Sequence, residues 1–340
     1  MRFSSLEEPM TKKFKVLGIG NAMIDILIMQ TDEFLSKQNI KKGVMQLVDL
    51  QRAKDLYKNF GTATEVSGGS GANTIYGLAS LGTTTCYIGK VKDDFLGNRF
   101  KSDLENMNIH YQTKLAKKDV QDETGRCIVF ITPDGERSMN TYLGVTEYLH
   151  EDDIDSESIM QSEWIYLEGY RFDGPSSELA FAKAIKVAKK NSCKVALTLS
   201  DPFCVERNII AFKKIISNDV DLLFCNEAEL KLLYNTVDLN DAVRQSSNDV
   251  QLLVCTLAEK GAIVSERGNI FSIPTGKTTA IDTTGAGDLF AAGFLHGMTK
   301  KKNITICGQM GNLAASEIIS HVGARPQESL RVIFDKQNFG

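Results

Sequence analysis

The stretch "IDTTGAGDLFAAGF" at residues 281–294 decides how the chain is interpreted. Gly285, Ala286 and Gly287 precede an apolar run of helical character. They therefore predict a tight turn whose backbone N–H groups converge at the start of a helix. Such a helix start attracts anions, and phosphate is the commonest of them. Asp288 follows the turn at once, in a place where its carboxylate would repel a phosphate.

Asp288 makes chemical sense if a hydroxyl group attacks the bound phosphate. A carboxylate at 4 Å would repel another unit anion by about 1–4 kcal/mol, depending on the local dielectric. The same carboxylate can accept the proton of the attacking hydroxyl while the N–H groups stabilise charge on the phosphoryl oxygens. The stretch therefore predicts a general base beside an anion hole. A second interpretation stays open here, because an acid stabilises any helix start and Thr283 or Thr284 can cap one.

Strand and helix patterns alternate on both sides of this stretch. Apolar or β-branched segments predict strands at 14–20, 83–91, 163–170, 193–202 and 221–226, and a hairpin over 251–266 that turns near Lys260 and Gly261. Helical spacing predicts helices at 71–82, at 176–191 with serine caps, and beginning at Asp288 and Thr305. This alternation predicts an α/β fold, a doubly wound, mainly parallel sheet flanked by helices on both faces.

Two regions interrupt the alternation. Residues 26–50 and 112–145 show strand patterns, with a "PDGE" turn at 133–136 and no long helix between strands. They predict a small β-sheet lid formed by two insertions. The remaining segments, 1–25, 51–111 and 146–340, are expected to form the core that binds nucleotide and substrate.

Composition argues against several classes of protein. The 340 residues are 42% apolar and 24% charged, which is enough to bury a globular core. A net charge of −4 with scattered basic residues gives no surface for nucleic acid. The sequence shows neither a secretory signal nor an apolar run of about 18 residues that could span a membrane. Seven cysteines without a CxxC pair indicate reduced thiols, so a cytoplasmic location is expected.

Four further polar residues, at three places in the sequence, are candidates for binding. Asn73 stands at the helix entry of the glycine-rich run 67–82, where its amide can both donate to and accept from hydroxyls. Asp25 follows an apolar strand and suits bidentate binding of a diol. Asn226 and Glu229 share a helical face and could hold Mg²⁺ through water. Each has a structural alternative: a loop before a helix, a solvated strand end and a capping box, respectively.

Two short motifs are too incomplete to support a function. "GIGNAM" at 18–23 has Met23 where a dinucleotide-binding fingerprint needs its third glycine. "GKTT" at 276–279 has Phe271 where a P-loop needs its first glycine. A dehydrogenase is therefore the weakest of the alternatives.

Three motifs together resemble the PfkB, or ribokinase-like, family of carbohydrate and nucleoside kinases. "DTTGAGDLFAAGF" is similar to its C-terminal signature, "GGSGANTIYGLASLG" to its N-terminal signature, and "NEAE" to its NxxE element. The likeness is collinear over roughly residues 14–335. "GNAMIDI", "LEGYRFD" and "ISHVGARPQ" bring the chain nearest to bacterial adenosine-kinase-like members. The resemblance implies a doubly wound α/β domain with a β-sheet lid.

The resemblance also implies roles for particular residues. It assigns catalysis to Asp288 as base, to Gly285, Ala286 and Gly287 as anion hole, and to Arg137 as a phosphate contact. It assigns substrate binding to Asn21, Met23, Asp25, Gly68, Gly69, Asn73 and Met139. It assigns ATP binding to Asn226, Glu229, Thr256, Gly261 and Asn312, with Glu229 holding Mg²⁺ through water. Asp282 matches the neighbourhood of a monovalent cation such as K⁺.

One position departs from the family pattern. In "LEGYRFD" the residue that is commonly apolar or aromatic near the nucleoside is Arg171. A buried arginine is costly without a partner, so either its side chain points outward or the acceptor pocket differs from that of the family.

The expected reaction is transfer of the ATP γ-phosphoryl group to a primary hydroxyl, with adenosine converted to AMP. The alternatives are a family kinase acting on fructose, ribose, a keto-deoxy sugar acid, inosine or guanosine, and a nucleoside-binding protein without catalysis. The cofactors implied are ATP and Mg²⁺, with K⁺ open. Expected partners are small molecules, without nucleic acid or membrane, and the protein is a monomer or a homodimer.

Overall fold

The fold is described from a computed structural model that covers residues 12–58, 63–174, 176–337 and 339. The first eleven residues of the predicted segment 1–25 lie outside the described residues. The strands in chain order are β1 Phe14–Ile19, β2 Met23–Met29, β3 Met45–Leu47, β4 Thr64–Gly68, β5 Thr85–Ile88, β6 His110–Tyr111, β7 Gly125–Ile131, β8 Arg137–Tyr142, β9 Ser162–Glu168, β10 Lys194–Thr198, β11 Leu222–Asn226, β12 Leu252–Thr256, β13 Ala262–Glu266 and β14 Asn269–Ile273.

Helices separate most of these strands. They are α1 Asp32–Lys37, α2 Leu50–Lys58, α3 Ser70–Ser80, α4 Phe95–Asn106, α5 Ser156–Met160, α6 Ser177–Lys190, α7 Pro202–Asp219, α8 Glu227–Leu233, α9 Leu239–Ser246, α10 Ala286–Thr299, α11 Ile304–Ile318 and α12 Leu330–Gln337. Short 3₁₀ helices lie at Gly144–Tyr148, Glu151–Asp153, Gly169–Asp173 and Ala258–Lys260. Within the described ranges, no helix has the length and apolar character needed to cross a membrane.

The larger sheet confirms the predicted α/β alternation. Its nine strands run in the order β14-β13-β12-β11-β10-β9-β1-β5-β6. All of them point in the same direction except β13, which pairs antiparallel with both β12 and β14. The predicted hairpin is β12–β13, and it closes where Leu257 N donates to Gly261 O at 2.8 Å. Because β1 lies between β5 and β9, the strand order reverses there, and ligands of such sheets bind at that point.

Both faces of the larger sheet are covered by helices. Consecutive residues of β1 are buried on opposite faces of the sheet. Val16 packs in the core with α3, α10 and α11, whereas Leu17 packs in the core with α6, α7 and α8. Strands buried on both faces are typical of parallel α/β sheets. Helix α3 lies so close to β1 that a Cβ atom on Gly18 would come within 2.5 Å of Ile75 Cγ1. This contact fixes where the glycine-rich loop before α3 lies.

The second sheet has five strands in the order β3-β8-β7-β2-β4. It contains the predicted "PDGE" hairpin, between β7 and β8, with Gly135 at φ 83°. Strand β4 also belongs to this sheet, although the sequence placed residues 51–111 with the core, and β2 already begins at Met23. Strand β4 has only five residues, between a helix and a glycine-rich loop, and so short a segment shows no periodicity that predicts its pairing partner. The division into core and lid remains a prediction.

Two predicted helix caps are wrong. Ser176 precedes α6 without a side-chain cap, because its backbone (φ −104°, ψ 3°) is outside the extended region that capping serines adopt. Helix α10 begins at Ala286 with Gly285 as its N-cap, so Thr283 and Thr284 do not cap it.

Candidate functional site

A cavity of about 410 Å³ opens between the second sheet and the carboxyl ends of the parallel strands. Asn21 after β1, and Glu168, Asn226 and Thr256 at the ends of β9, β11 and β12, all line it. It lies where the strand order reverses, and its size is that of a small-molecule site. Of the predicted residues, the lining includes Asn21, Met23, Asp25, Gly69, Asn73, Met139, Asn226, Glu229, Thr256, Gly285, Ala286, Gly287 and Asp288.

The glycine turn opens α10 as predicted. Gly285 is left-handed (φ 79°), and the first hydrogen bond of the helix runs from Leu289 N to Gly285 O at 2.8 Å. The amides of Gly287 and Asp288 precede that bond and therefore have no acceptor in the helix. A Cβ atom on Gly287 would meet nothing within 4 Å, so the turn faces open space. The turn has the form of an anion site at a helix start.

Asp288 is half-buried at this turn and held by two residues of α3. Ser70 Oγ donates to its Oδ1 at 2.6 Å, and Asn73 Nδ2 donates to its Oδ2 at 3.0 Å. Burial raises the pKa of Asp288 above its ordinary value, and these two hydrogen bonds lower it. A fixed carboxylate next to an anion site is suited to accepting a proton from an attacking hydroxyl. Ser70 was not predicted, since a serine in a glycine loop carries no distinctive signal.

Asp25 lies on β2 and faces the same cavity. Gly68 gives it room, because a Cβ atom there would lie 2.2 Å from Asp25 Cγ. No described residue forms a hydrogen bond to its carboxylate, so both oxygens are free to accept. Burial raises the pKa of Asp25 to about 7, with Arg325 opposing and Asp288 reinforcing the rise. A carboxylate with both oxygens unbonded is suited to a diol.

Arg325 supports the glycine loop from behind and was missed as a functional candidate. Its Nε donates to Ser67 O at 2.8 Å, and its guanidinium stacks 4.2 Å from the ring centroid of Tyr76. Burial lowers the pKa of Arg325 to about 10, yet the group stays charged. It therefore supplies positive charge near Asp25 without entering the cavity. The motif "GARPQ" contained it, but nothing in the sequence showed which loop it would contact.

Arg171 points inward, so the outward orientation, one of the two alternatives left open by the sequence, is wrong. It is 2% exposed, in the 3₁₀ helix after β9, and it does not line the cavity. Its Nη1 donates to Asn21 Oδ1 at 3.2 Å and to Thr146 O at 2.7 Å. Burial lowers its pKa, whereas the negative charge of Glu168 raises it. The arginine therefore lies behind the acceptor wall rather than in it.

Glu168 is a second cavity residue that sequence reasoning missed. Its Oε2 accepts from Gly71 N at 2.7 Å and from Asn21 N at 3.1 Å. Burial raises the pKa of Glu168 to about 7, although these two hydrogen bonds lower it. An acid at the end of a buried strand was the signal used for Asp25, and the same signal in "WIYLE" pointed to Glu168.

Apart from Asp25 and Thr141, the wall of the cavity formed by the second sheet is apolar. Its apolar side chains come from β2, β3, β7, β8 and the residue after β8, and they are Met23, Met45, Leu47, Cys127, Met139 and Leu143. Methionine side chains adapt to flat ring systems through their flexible thioethers. Met23 and Met139 were predicted here; Met45 and Leu47 were not, because β3 is only three residues long.

The opposite end of the cavity contains the NxxE element. Asn226 and Glu229 form a capping box at the start of α8: Glu229 N donates to Asn226 Oδ1, and Asn226 N donates to Glu229 Oε2, each at 2.9 Å. The structural alternative is thus realised, and both residues still line the cavity. Burial raises the pKa of Glu229 to about 7. Among the described residues, no cluster of three or more His, Cys, Asp or Glu is placed to hold a metal ion.

Gly261 and Asn312 do not line this cavity. Gly261 (φ 90°) closes the β12–β13 hairpin, where a Cβ atom would lie 2.1 Å from Ile273 O. Asn312 Nδ2 donates to Ile273 O at 3.2 Å and to Pro274 O at 3.1 Å. Both residues hold the segment after β14, and their contact with ATP stays a prediction.

Arg137 joins the second sheet to the glycine turn. Its Nη2 forms an ion pair with Asp282 Oδ2, and Nε and Nη1 are buried without an acceptor among the described residues. Asp282 also accepts from Thr284 N at 3.0 Å and Gly323 N at 2.7 Å. Because three protein donors already surround this carboxylate, the monovalent cation predicted there gains no support from its contacts.

The charge of the lining is one-sided. Asp25, Glu168, Asp173, Glu229 and Asp288 contribute carboxylates, whereas the lining contains no lysine, arginine or histidine among the described residues. Arg325 and Arg137 act on Asp25 from outside this lining, and Arg171 acts on Glu168 in the same way. The α10 turn is where backbone amides of the lining supply a positive pole for an anionic ligand.

Known proteins resemble the chain along most of its length. Residues 39–330 match the family described as pfkB family carbohydrate kinase. The crystal structure of adenosine kinase from Sinorhizobium meliloti is 40% identical with a TM-score of 0.90, covering 96% of this chain and 99% of that one. A probable sugar kinase protein from Rhizobium etli CFN 42 is 37% identical, with the same TM-score and coverage. The 5-dehydro-2-deoxygluconokinase of Bacillus licheniformis is 24% identical over 94% of this chain and 93% of its own.

Proposed function

The chain belongs to the pfkB family of carbohydrate kinases and is a phosphotransferase with an alcohol group as acceptor; we propose that this acceptor is a neutral nucleoside, adenosine, and that the product is AMP. The family implies ATP as donor. The proposal includes a cytoplasmic role in purine salvage.

One observation carries the choice of acceptor: the acceptor end combines diol-binding groups with an apolar wall, and its described lining residues include no lysine, arginine or histidine. Asp25 offers two free carboxylate oxygens, and the side chains of Met23 and Met139 lie beside it. A nucleoside matches this combination, because its ribose presents a diol and its base presents a flat apolar face. Free ribose or fructose would leave the methionine wall exposed to water.

The charge of the cavity argues against a sugar acid. The Bacillus licheniformis relative is named for an acceptor that carries a carboxylate. In this chain such a group would meet Asp25 and Glu168 with no lysine, arginine or histidine among the described lining residues to balance it. Repulsion between carboxylates in a partly buried site costs about 1–4 kcal/mol for each close pair. The lining therefore favours an uncharged acceptor.

The proposed mechanism assigns acceptor binding to Asp25 on β2 and Asn73 on α3, and the chemical step to the start of α10. Asp25 and Asn73 hold the ribose hydroxyls, which fixes the distant primary hydroxyl against Asp288 and lowers the entropic barrier. Asp288 takes the proton of that hydroxyl as it attacks the γ-phosphorus in line. The unbonded amides of Gly287 and Asp288, at the end of the Gly285–Gly287 turn, stabilise the charge that develops on the transferred group. Closure of the second sheet would exclude water, which otherwise hydrolyses ATP.

The residues present fit ATP with Mg²⁺. Gly287 leaves open space above the unbonded amides, so phosphate oxygens can approach the backbone. The carboxylate of Glu229 is engaged by Asn226, so it would reach Mg²⁺ through water rather than directly. The metal would neutralise charge on the phosphates. Nε and Nη1 of Arg137, beside the same turn, are proposed to meet phosphoryl oxygens.

An acceptor panel tests the proposal. Adenosine, inosine, guanosine, ribose, fructose and 5-dehydro-2-deoxygluconate are compared by kcat/KM, with ADP release as readout. Adenosine is expected to exceed the sugar acid by at least about a hundredfold, a difference of about 2.7 kcal/mol. A sugar acid that turns over faster than adenosine would overturn the choice of acceptor but not the family.

A further inference from the structure

Arg171 is the conspicuous buried cation behind the acceptor wall, and its contacts converge on Asn21. It donates to Asn21 Oδ1 at 3.2 Å, and Thr146 Oγ1 donates to the same oxygen at 3.4 Å. Thr146 is itself held by Arg171, through its carbonyl oxygen at 2.7 Å. Two donors from two different elements therefore meet on one side of the Asn21 amide.

The remaining polar atoms of Asn21 are almost all occupied as well. Its N donates to Glu168 Oε2 at 3.1 Å, and its O accepts from Tyr87 OH at 2.7 Å. Only Nδ2 makes no hydrogen bond within the described residues, and Asn21 lines the cavity. The Asn21 backbone and the Asp25 carboxylate flank the adjacent glycines 69 and 68, each 2.2 Å from where a Cβ atom would stand. Asn21 thus borders the place where Asp25 would hold the diol.

The chemistry of arginine fixes which way the amide faces. A guanidinium has five N–H donors and no acceptor, so only the oxygen of the amide can face it. The reverse orientation would set Nδ2 against the Nη1 donor, which would leave Nδ2 without an acceptor there and Nη1 with only its bond to Thr146 O. The cavity is consequently offered N–H donors at this point, never a carbonyl oxygen.

We propose that Arg171 is a specificity-determining positioning residue: it orients Asn21 so that the pocket presents a hydrogen-bond donor beside the Asp25 site, and so selects acceptors with a lone-pair atom there. The inference rests on the proposed function and deepens it. The ligand class is a neutral molecule with a hydroxyl, ether oxygen or unprotonated ring nitrogen next to its diol. Arg171 acts through Asn21 and does not touch the ligand.

Two variants separate the orientation from the bulk of the side chains. Asn21→Asp keeps an oxygen towards Arg171 but places an oxygen where the donor was, so KM for adenosine should rise at least about tenfold with kcat changed far less. Arg171→Met keeps the volume and releases the amide, so KM should rise about three- to tenfold. Arg171→Lys, which retains a donor, should recover part of that loss. Arg244→Met, at an exposed ion pair on α9, is the matched control.

The decisive comparison uses ligands that lack one acceptor atom each. Adenosine, 2′-deoxyadenosine, 3′-deoxyadenosine and 3-deazaadenosine are assayed with the wild-type enzyme and with Arg171→Met. For the analogue that lacks the atom met by Asn21, the effect of Arg171→Met on KM should vanish, while it persists for the others. An equal effect on all four would mean that Arg171 is only structural, and the inference would be wrong.

The outcomes also separate this inference from the proposed function. If the wild-type enzyme does not phosphorylate adenosine, the proposed function fails before any variant is compared. If it does, and Asn21→Asp leaves KM for adenosine unchanged, only the orientation by Arg171 is contradicted. Should Arg171→Met not fold, as judged by thermal melting, Asn21→Asp and Arg171→Lys still decide the question.

Discussion

Two glycine turns meet in the cavity, one before α3 and one before α10, and they differ in what fills the space beside them. Both helices have a glycine N-cap with positive φ, 98° at Gly69 and 79° at Gly285. Because glycine has no side chain, neither helix start is capped by its N-cap residue. The helices pack directly, since a Cβ atom on Gly77 would lie 2.6 Å from Leu289 Cδ1. The two turns are therefore a rigid pair.

The space beside the first turn is occupied by protein. A Cβ atom on Gly69 would lie 2.2 Å from the carbonyl oxygen of Asn21, whereas one on Gly287 would meet nothing within 4 Å. The turn before α3 is shaped by its neighbours and positions the groups that would hold the acceptor. In the turn before α10, a Cβ atom on Gly285 would lie 3.0 Å from Ala324 Cβ, but at Gly287 the start of α10 is open, as backbone that a ligand approaches has to be. Gly69 and Gly285 thus have a structural reason to be glycine, whereas Gly287 has a binding reason.

The largest expected effect is at the carboxylate that connects the two turns. Asp288→Asn should lower kcat by about 10²–10⁴, because the attacking hydroxyl loses its proton acceptor. The fold and ATP affinity should persist, since an amide fills the same volume between Ser70 and Asn73. Steady-state kinetics and calorimetric titration with ATP measure the two effects, and Asp241→Asn, in a partly exposed ion pair on α9 outside the cavity, is the control. Near-normal turnover in Asp288→Asn would exclude it as the base.

Matched glycine substitutions separate the two turns. Gly69→Ala should destabilise the free protein by about 1–3 kcal/mol, because it combines a positive φ with a backbone clash. Gly287→Ala should leave the melting temperature unchanged or slightly raised, yet raise KM for ATP about tenfold, because the new methyl group occupies the phosphate approach. Thermal melting without ligand and ATP titration measure the pair. Unaltered ATP affinity in Gly287→Ala would remove the binding role from that turn.

Protonation of Asp25, on β2, should make acceptor binding depend on pH. Its pKa is raised to about 7, so acceptor binding should weaken as the pH falls below about 7 and the carboxylate takes up a proton. Asp25→Asn should raise KM for adenosine and abolish this pH dependence, whereas KM for ATP should change little. Kinetics between about pH 6 and pH 8 test this. A wild-type KM that is flat over that range would contradict the role of Asp25.

The same shift predicts the smallest effect, on stability. A carboxyl group whose pKa is raised on folding stabilises the fold fully below its unfolded value, near 3.8, and that contribution is lost as the pH rises through about 7. Asp25→Asn should therefore melt about 2–5 °C above the wild type at about pH 8, and the gap should narrow as the pH falls and close only as the pH approaches the unfolded value of 3.8. A gap independent of pH would point to packing instead.

The sequence predicted the core well because its signals are local. Apolar patterns directly predict the strands that are buried on both faces and the helices with regular apolar spacing. Polar residues that follow such strands lie at one edge of the sheet. Asp25 and Asn226 were found in this way, whereas Asp288 was found from the glycine turn at the start of its helix. Their roles stay predictions, but the structure brings them to one cavity.

The parts that were missed depend on long-range contacts. Strand β4 was assigned to the core because only its pairing with β2 places it in the second sheet. Glu168 and Arg171 act on Asn21, about 150 residues earlier in the chain, so no local pattern reveals which polar group each one holds. The inward orientation of Arg171 depends on tertiary contacts, because the hydrogen bond to Thr146 O and the negative charge of Glu168 stabilise the buried guanidinium.

The central claim is that the two turns together move a phosphoryl group onto a primary hydroxyl of a neutral nucleoside. The most direct test is proton-coupled ³¹P NMR of the wild-type enzyme with ATP, Mg²⁺ and adenosine. The account predicts a new phosphomonoester signal split into a triplet, because a primary hydroxyl places phosphorus next to a methylene group. A doublet, from a secondary hydroxyl, or inorganic phosphate alone, from ATP hydrolysis, would contradict it.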